Sequence, residues 1–380
     1  MGKLRFCLAG EYPLDTNRIG GGVPHVMYLL GETFRERDDI EFSVVTPAKG
    51  RSGVDVVSKE GITIYYVGAP KRKVVPNLLA QGARIAPVLA DLKPDVINSH
   101  HYVTTEAAIR AGCRVVHTLH GVIHKEVRFA SRKRKISIYL HGLLEKRVAS
   151  KADAVMGVAQ YALDEYRPWI KAPGYTIPVP IEDVFWNESA TAPGKSVVFA
   201  GGICRRKNPL TLVRAMAEVV KRHPDAVLHV CGSVVEPAYM AAIQRVVNDH
   251  GLDGSVKFLG VVDRDRLAAL LGESCALALP SLQESSPGVI CQAMAMGRAP
   301  IASPVGGVPE MIEDGVTGFV VDANDSDTLA DRIAALMDDP GLAQRIGRAA
   351  REVARQRYER HRVADRIIEI CSSVVNGGRL

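Results

Sequence analysis

Short, continuously apolar runs alternate with longer amphipathic stretches along the whole chain. Leu4–Ala9 and residues 41–45, 62–67, 95–98, 114–119 and 154–158 have strand length, and helical periodicity appears near residues 23–34, 78–91 and 105–111. Runs that are apolar at successive positions suit parallel strands covered on both faces, which alternating runs do not. After a short strand at 175–179, residues 180–195 mix Pro, Asn, Ser, Thr and Gly without a period and read as a hinge. The alternation then resumes at Ser196–Ala200, 227–232, 256–259 and Ala276–Leu279. The pattern predicts an α/β protein with two doubly wound, Rossmann-like domains, residues 1–180 and 181–360, followed by a terminal helical segment at 361–380.

Composition narrows the class. A chain of 380 residues can bury two ordinary cores, and 47% hydrophobic with 24% charged residues describes a globular protein. Seven cysteines are scattered without a Cys-x-x-Cys pair and read as reduced core thiols, so a cytoplasmic location is expected. No apolar run approaches a membrane span, and no export signal is expected at the N-terminus. The net charge of +6 admits an anionic partner without requiring one, and no nucleic-acid partner is expected.

The chemistry concentrates at strand ends, where doubly wound sheets bind ligands. Pro280-Ser-Leu-Gln-Glu284-Ser-Ser-Pro-Gly-Val-Ile-Cys-Gln292-Ala-Met-Ala-Met-Gly297 reads as the end of a strand, a polar turn and a helix start. Ser286 is the expected N-cap and Pro287 the first helical residue, which leaves the N–H groups of Gly288 and Val289 open to an anion. Glu284 and Gln292 could accept hydrogen bonds from hydroxyls beside it. The plainer reading is a capped helix with both side chains solvated. A second glycine turn, Gly201-Gly202-Ile-Cys-Arg205-Arg206-Lys207, sets three consecutive cations before a helix. Near the N-terminus, Gly20-Gly21-Gly22 precedes another helix and would let its backbone approach a ligand.

Histidines gather after two strands, as His100-His101 and His117-Thr-Leu-His120-Gly121. No Cys, Asp or Glu at ligand spacing accompanies them, so no metal is expected. Asp263 is assigned as an N-cap, and residues 322–327 lack the glycine of a calcium loop. Between Lys125 and Lys151, nine Lys/Arg face only Glu126 and Glu145, with apolar residues interleaved. That stretch, including Arg132 and Lys135, is either an ordinary surface helix with a charged outer face or a contact for an anionic acceptor or an anionic membrane.

The 280–297 stretch resembles the C-terminal signature of the family 4 retaining glycosyltransferases, in which two glutamates are separated by seven intervening residues and followed by Ala-Met-Ala-x-Gly. The likeness continues through Pro300-Ile-Ala-Ser-Pro-Val-Gly306-Gly307-Val-Pro-Glu310 and Asp314-Gly-Val-Thr-Gly318. It implies the GT-B architecture, two Rossmann-like domains facing across a cleft, with the last helix crossing back to the N-terminal domain. Carried over residue by residue, it implies that Gly21 and Gly22 close over the donor diphosphate, that His120 stands beside the donor sugar with His100 as a weaker, acceptor-side candidate, that Lys207 meets the phosphates and that Glu284 orients sugar hydroxyls. Three departures stand out: Gly202 occupies an arginine position, leaving Arg205 or Arg206 to supply that charge; Pro178-Val-Pro180 replaces Pro-Asn-Gly; and Gln292 replaces the second glutamate.

The implied activity is transfer of a sugar from a nucleotide-diphosphate donor, UDP- or GDP-linked, to a hydroxyl acceptor with retention of configuration and without a metal or other cofactor. The alternatives are a nucleotide-sugar epimerase of the same fold and a non-catalytic binding protein. A glutamate at position 292 is expected to tighten nucleotide binding, since a carboxylate accepts charge-assisted hydrogen bonds from both ribose hydroxyls.

Overall fold

A computed structural model describes residues 2–14, 19, 21–59, 61–69, 75–130, 132–187 and 194–378. It divides into two compact units, Met1–Pro180 with Arg360–Leu380, and Ile181–Glu359.

The first unit is built on β1 (Leu4–Ala9), β2 (Ile40–Lys49), β3 (Val54–Lys59), β4 (Ile62–Ala69), β5 (Val96–Ser99), β6 (Val115–Leu119), β7 (Ala154–Gly157) and β8 (Gly174–Thr176), in spatial order β3-β4-β2-β1-β5-β6-β7-β8. Every pairing is parallel except β3 with β4. The sequence pattern missed β3 because this edge strand is half wet: Val54 and Val56 are 45% and 57% exposed, so no buried run marks it. The strand expected at 175–179 is shorter, since Pro178 and Pro180 have no N–H for a ladder. Helices α1 (Gly22–Arg35), α2 (Val75–Leu92), α3 (Tyr102–Arg110), α4 (Ile123–Glu126), α5 (Arg132–Ala149) and α6 (Gln160–Tyr166) complete this stretch of chain.

The second unit has β9 (Ser196–Ala200), β10 (Val227–Cys231), β11 (Val256–Gly260), β12 (Ala276–Leu279), β13 (Ala299–Ala302) and β14 (Phe319–Val320), all parallel, in order β11-β10-β9-β12-β13-β14. Its helices are α7 (Pro209–Arg222), α8 (Pro237–Asp249), α9 (Arg264–Glu273), α10 (Gly288–Ala295), α11 (Ser326–Asp338) and α12 (Pro340–Tyr358). β12 and β13 are buried along their whole length, as strands flanked by helices on both faces must be. Asp263 caps α9 by accepting from the N–H of Arg266 at 2.8 Å. The last helix, α13 (Arg360–Asn376), belongs to the first unit. Its stripe of Val363, Ala364, Ile367, Ile370 and Cys371 joins one apolar core with Phe6, Leu8 and Phe34.

Candidate active site

In the second unit the chain bends sharply after β9. Gly232 has φ +148° and passes so close to this turn that a Cβ there would lie 1.9 Å from the carbonyl oxygen of Gly201, so only glycine fits. A Cβ on Gly202 would meet Val235 Cγ2 at 2.9 Å, which leaves no room for a side chain unless the exposed Val235 moves. Asn208 then takes a left-handed conformation, φ +53°, held by buried hydrogen bonds. Its amide donates to the Ala323 carbonyl at 2.6 Å and to Thr211 Oγ1 at 3.0 Å, and its oxygen accepts from the Tyr239 hydroxyl at 3.2 Å. Finally, the N–H of Leu282 donates to the Arg206 carbonyl at 2.8 Å, tying the cationic loop to the turn after β12.

These restraints bring Lys207, Arg206 and Glu284 together. Lys207 Nζ lies 2.6 Å from Glu284 Oε1, and Arg206 reaches Glu284 Oε2 at 3.5 Å while donating to the Gln283 carbonyl at 3.0 Å. Glu284 is only 6% exposed, yet among the described residues its Oε1 accepts no aligned hydrogen bond, so a lone pair remains for a further donor. Arg205 does not join the cluster. It is turned toward Glu236, whose Oε2 lies 3.6 Å from its Nε.

The start of α10 differs from the expected cap. Ser286 is not the N-cap: Pro287, with ψ 110°, is still extended and occupies that position, and Gly288 is the first helical residue. An extended proline moves the helix start one residue on, and the cap supplies no side-chain hydrogen bond. The first internal bond is from the N–H of Ile290 to the Pro287 carbonyl at 3.0 Å. The N–H groups of Gly288 and Val289 have no acceptor among the described residues, and a Cβ on Gly288 would meet nothing within 4 Å. This end of the helix is thus open backbone.

Gln292 is half-buried and has a partner. Its amide donates to Glu182 Oε2 at 3.4 Å, and Glu182, itself buried, also faces Arg264 Nε at 3.4 Å through Oε1. A carboxylate therefore already stands where a second one would arrive. The expectation that glutamate at 292 tightens nucleotide binding does not fit this arrangement, because two carboxylates would share one site.

In the first unit, parallel pairing of β5 with β6 sets Asn98 beside Val116 and Ser99 beside His117. Beyond these strand ends His100 Nδ1 and His120 Nε2 are 2.7 Å apart, and His100 Nε2 is 2.8 Å from Asn98 Oδ1. Asn98 Nδ2 donates to Thr118 Oγ1 at 2.9 Å, so its oxygen faces His100 and requires a proton on His100 Nε2. A neutral His100 then accepts the His120 Nε2–H, and His120 Nδ1 is left unprotonated. Burial, then the neighbouring imidazoles, holds His100 well below the ordinary histidine range, and His120 is pushed down to about 4. His117 turns away, with Nδ1 on Thr105 Oγ1 at 2.8 Å, and His101 caps α3 by accepting from the Val103 N–H. Among the described residues no group of three or more His, Cys, Asp or Glu has the geometry to hold a metal ion.

Gly21 caps α1 with φ +92°, a conformation that favours glycine, whereas Gly22 opens the helix. Gly20 lies outside the described residues. Lys135 is exposed on α5. Arg132 begins that helix, and its side chain is outside the described residues.

Two family models match consecutive parts of the chain: Glycosyltransferase Family 4 over residues 20–184 and Glycosyl transferases group 1 over residues 181–353. A D-inositol 3-phosphate glycosyltransferase from Pseudarthrobacter chlorophenolicus is 30% identical over 340 residues, covering 82% of this chain and 81% of that protein. The chain is a group 1 glycosyltransferase of family 4. A protein of the same description from Corynebacterium efficiens is 27% identical over 376 residues, 90% of this glycosyltransferase and 89% of its relative. Among solved structures, sucrose-phosphate synthase from Thermosynechococcus elongatus matches with TM-score 0.82 at 20% identity, over 98% of this chain and 100% of that one. Anabaena HepE in complex with UDP and glucose matches with TM-score 0.76 at 19% identity, over 97% and 100%. These likenesses show the GT-B fold.

Within this glycosyltransferase the structure adds residues that motif reading passed over. Asn98 orients the histidine pair, Glu182 faces Gln292, and Asn208 fixes the cationic loop. Asn98 alone carried a signal, as part of the strand-end motif around His100.

Proposed function

We propose that this glycosyltransferase moves a sugar from a nucleotide-diphosphate donor to a hydroxyl acceptor with retention of anomeric configuration. The observation that carries the reading is the convergence of Lys207 and Arg206 on the buried Glu284, four residues before the open N-terminus of α10. As the bond from the anomeric carbon to the diphosphate breaks, negative charge grows on the departing oxygen. Lys207 has three donors and can serve that oxygen while keeping Glu284. Fixed cations and open N–H groups stabilise such charge more in the transition state than before it. Glu284 Oε1 has a free lone pair for a hydroxyl of the transferred sugar. Within the first unit, the unprotonated His120 Nδ1 is an acceptor for a hydroxyl of its own ligand. The acceptor oxygen forms the new bond on the face the diphosphate leaves, and its proton passes to the leaving phosphate. Gly21, Gly22, Gln292 and Ser286 remain donor-side residues in this reading, Arg205 does not, and no resident cofactor is called for.

The relatives' description makes a phosphorylated polyol such as inositol phosphate the first acceptor to assay. A cytoplasmic setting follows from the donor, since nucleotide sugars are made there. The test is incubation with a panel of UDP- and GDP-sugars, with and without inositol phosphate, read by nucleotide release and by NMR of the product anomer. Acceptor-dependent release with a retained anomer supports the reading. Conversion of the donor without release would make the protein an epimerase, and binding without turnover a sugar-nucleotide carrier.

A further inference from the structure

Helix α5 is apolar on two faces, where an ordinary surface helix is apolar on one. Its inner face carries Gly142, Glu145, Val148 and Ala149, all buried. Tyr166 donates a short hydrogen bond to Glu145, and Lys146 Nζ lies 3.8 Å above the Trp169 ring. Its outer face presents Ile136, Tyr139, Leu140 and Leu143, exposed by 72%, 59%, 38% and 44%. Spaced by three, one and three residues, these four form one apolar stripe two turns long. Val148 and Ala149 turn inward as in an ordinary surface helix, but the outer face carries this apolar stripe beside its cations.

Cations bracket the stripe. Lys135 stands one turn before Tyr139 and Arg147 one turn after Leu143, and Arg134 and Lys135 are exposed without an acidic partner among the described residues. Arg147 is more than half exposed and only 3.6 Å from Glu106 at its nearest. Of the two acidic residues in the basic stretch, Glu145 is withdrawn into the interior, where burial pushes its carboxyl up to about 7. The outward surface is thus apolar at its centre and basic at its ends.

We propose that α5 docks the first unit on an anionic lipid bilayer, the stripe lying at the boundary of headgroups and acyl chains and the flanking cations at the phosphates. Charge complementarity selects this occupant. A second copy of the same face would set cations against cations, a nucleic acid would pair with the cations but leave four large apolar side chains in water, and a small free phosphate would ignore the stripe altogether. Only a surface that is anionic outside and apolar beneath uses both halves of the pattern.

Co-sedimentation of the full chain with phosphatidylglycerol-containing vesicles and with neutral phosphatidylcholine vesicles, at low and high salt, tests the proposal. Binding to the anionic vesicles alone is expected, weakening with salt, and falling by about fivefold for each cation removed in Lys135→Gln and Arg147→Gln. Ile136→Ser with Leu143→Ser should abolish the binding that survives salt. Tyr139→Trp should move its emission to the blue only with anionic vesicles. Melting curves of each variant confirm that it folds, as substitutions on an exposed face should. Equal binding to both lipids, binding to neither, or competition by free glycerol phosphate would overturn the proposal. So would a dimer in solution that the double serine variant splits.

Discussion

Lys207 Nζ approaches Glu284 Oε1 to 2.6 Å without giving that oxygen an aligned hydrogen bond. The pair is close enough to hold its charges together and open enough to admit a third group. Lys207→Ala should lower turnover by about a hundredfold or more, the scale of losing one fixed charge-stabilising donor. It should also cost roughly 1–3 kcal/mol of stability, because the buried carboxylate loses its nearer partner. Single-turnover kinetics and thermal melting measure the two effects separately. Near-normal turnover in a folded variant would remove Lys207 from the chemistry.

Gln292→Glu should weaken nucleotide binding. The new carboxylate would replace an amide that donates to Glu182 at 3.4 Å, and two acids in one partly closed site resist being ionised together. Calorimetric titration with UDP and GDP reads the change, and Gln292→Glu combined with Glu182→Gln should recover much of the loss. Tighter binding in the single variant would mean that Glu182 does not govern this position.

Asn98→Asp should raise the titration range of the neighbouring imidazoles. The substituted carboxylate still accepts from His100 Nε2–H but favours a charged ring, whereas the native amide favours a neutral one. Histidine ring resonances followed by NMR should show His120 moving up from about 4. An unmoved titration would mean that the amide is flipped relative to the orientation given by Thr118.

Acid should destabilise the first unit. His117 and His120 are pushed down to about 3 and about 4, against 6.5 for a free histidine, and His100 shifts the same way. Below pH 6.5 the unfolded chain takes up protons that the folded one refuses, so stability is lost as pH falls from there toward 4. Glu145 acts in the opposite sense: its raised value of about 7, against 4.5 unfolded, adds stability as pH falls through that interval. Three histidines outweigh one carboxyl, and the net slope near mid-window should be roughly 2 kcal/mol per pH unit. Melting temperatures between neutral pH and pH 5 check this, and a constant value would contradict it.

Much of the scaffold was legible because buried parallel strands leave an unbroken apolar signature. Ser196–Ala200 and Ala276–Leu279 have the bounds the pattern sets. β3 has no such signature, since an edge strand can keep Val56 in water. The glycine turns and the cations beside them were visible as spacing, but which cation turns inward was not: Arg205 and Arg206 are adjacent, and their directions are set by distant partners, Glu236 for Arg205 and the turn at 282–284 for Arg206. The cap of α10 misled because Ser-Pro suits either of two registers, and the backbone of Pro287 decides between them. Glu182 and Gln292 are 110 residues apart, and no local pattern announces a contact of that span.

The return of α13 to the first unit makes the second an insertion within it. Ile181–Glu359 is one uninterrupted length of chain and can fold as soon as it has left the ribosome. The first unit cannot: Phe6, Leu8 and Phe34 keep an uncovered face until Ile367 and Ile370 are made. The half of the protein that is synthesised first is thus completed last, and during that interval its open core is a natural point of attack for chaperones and proteases.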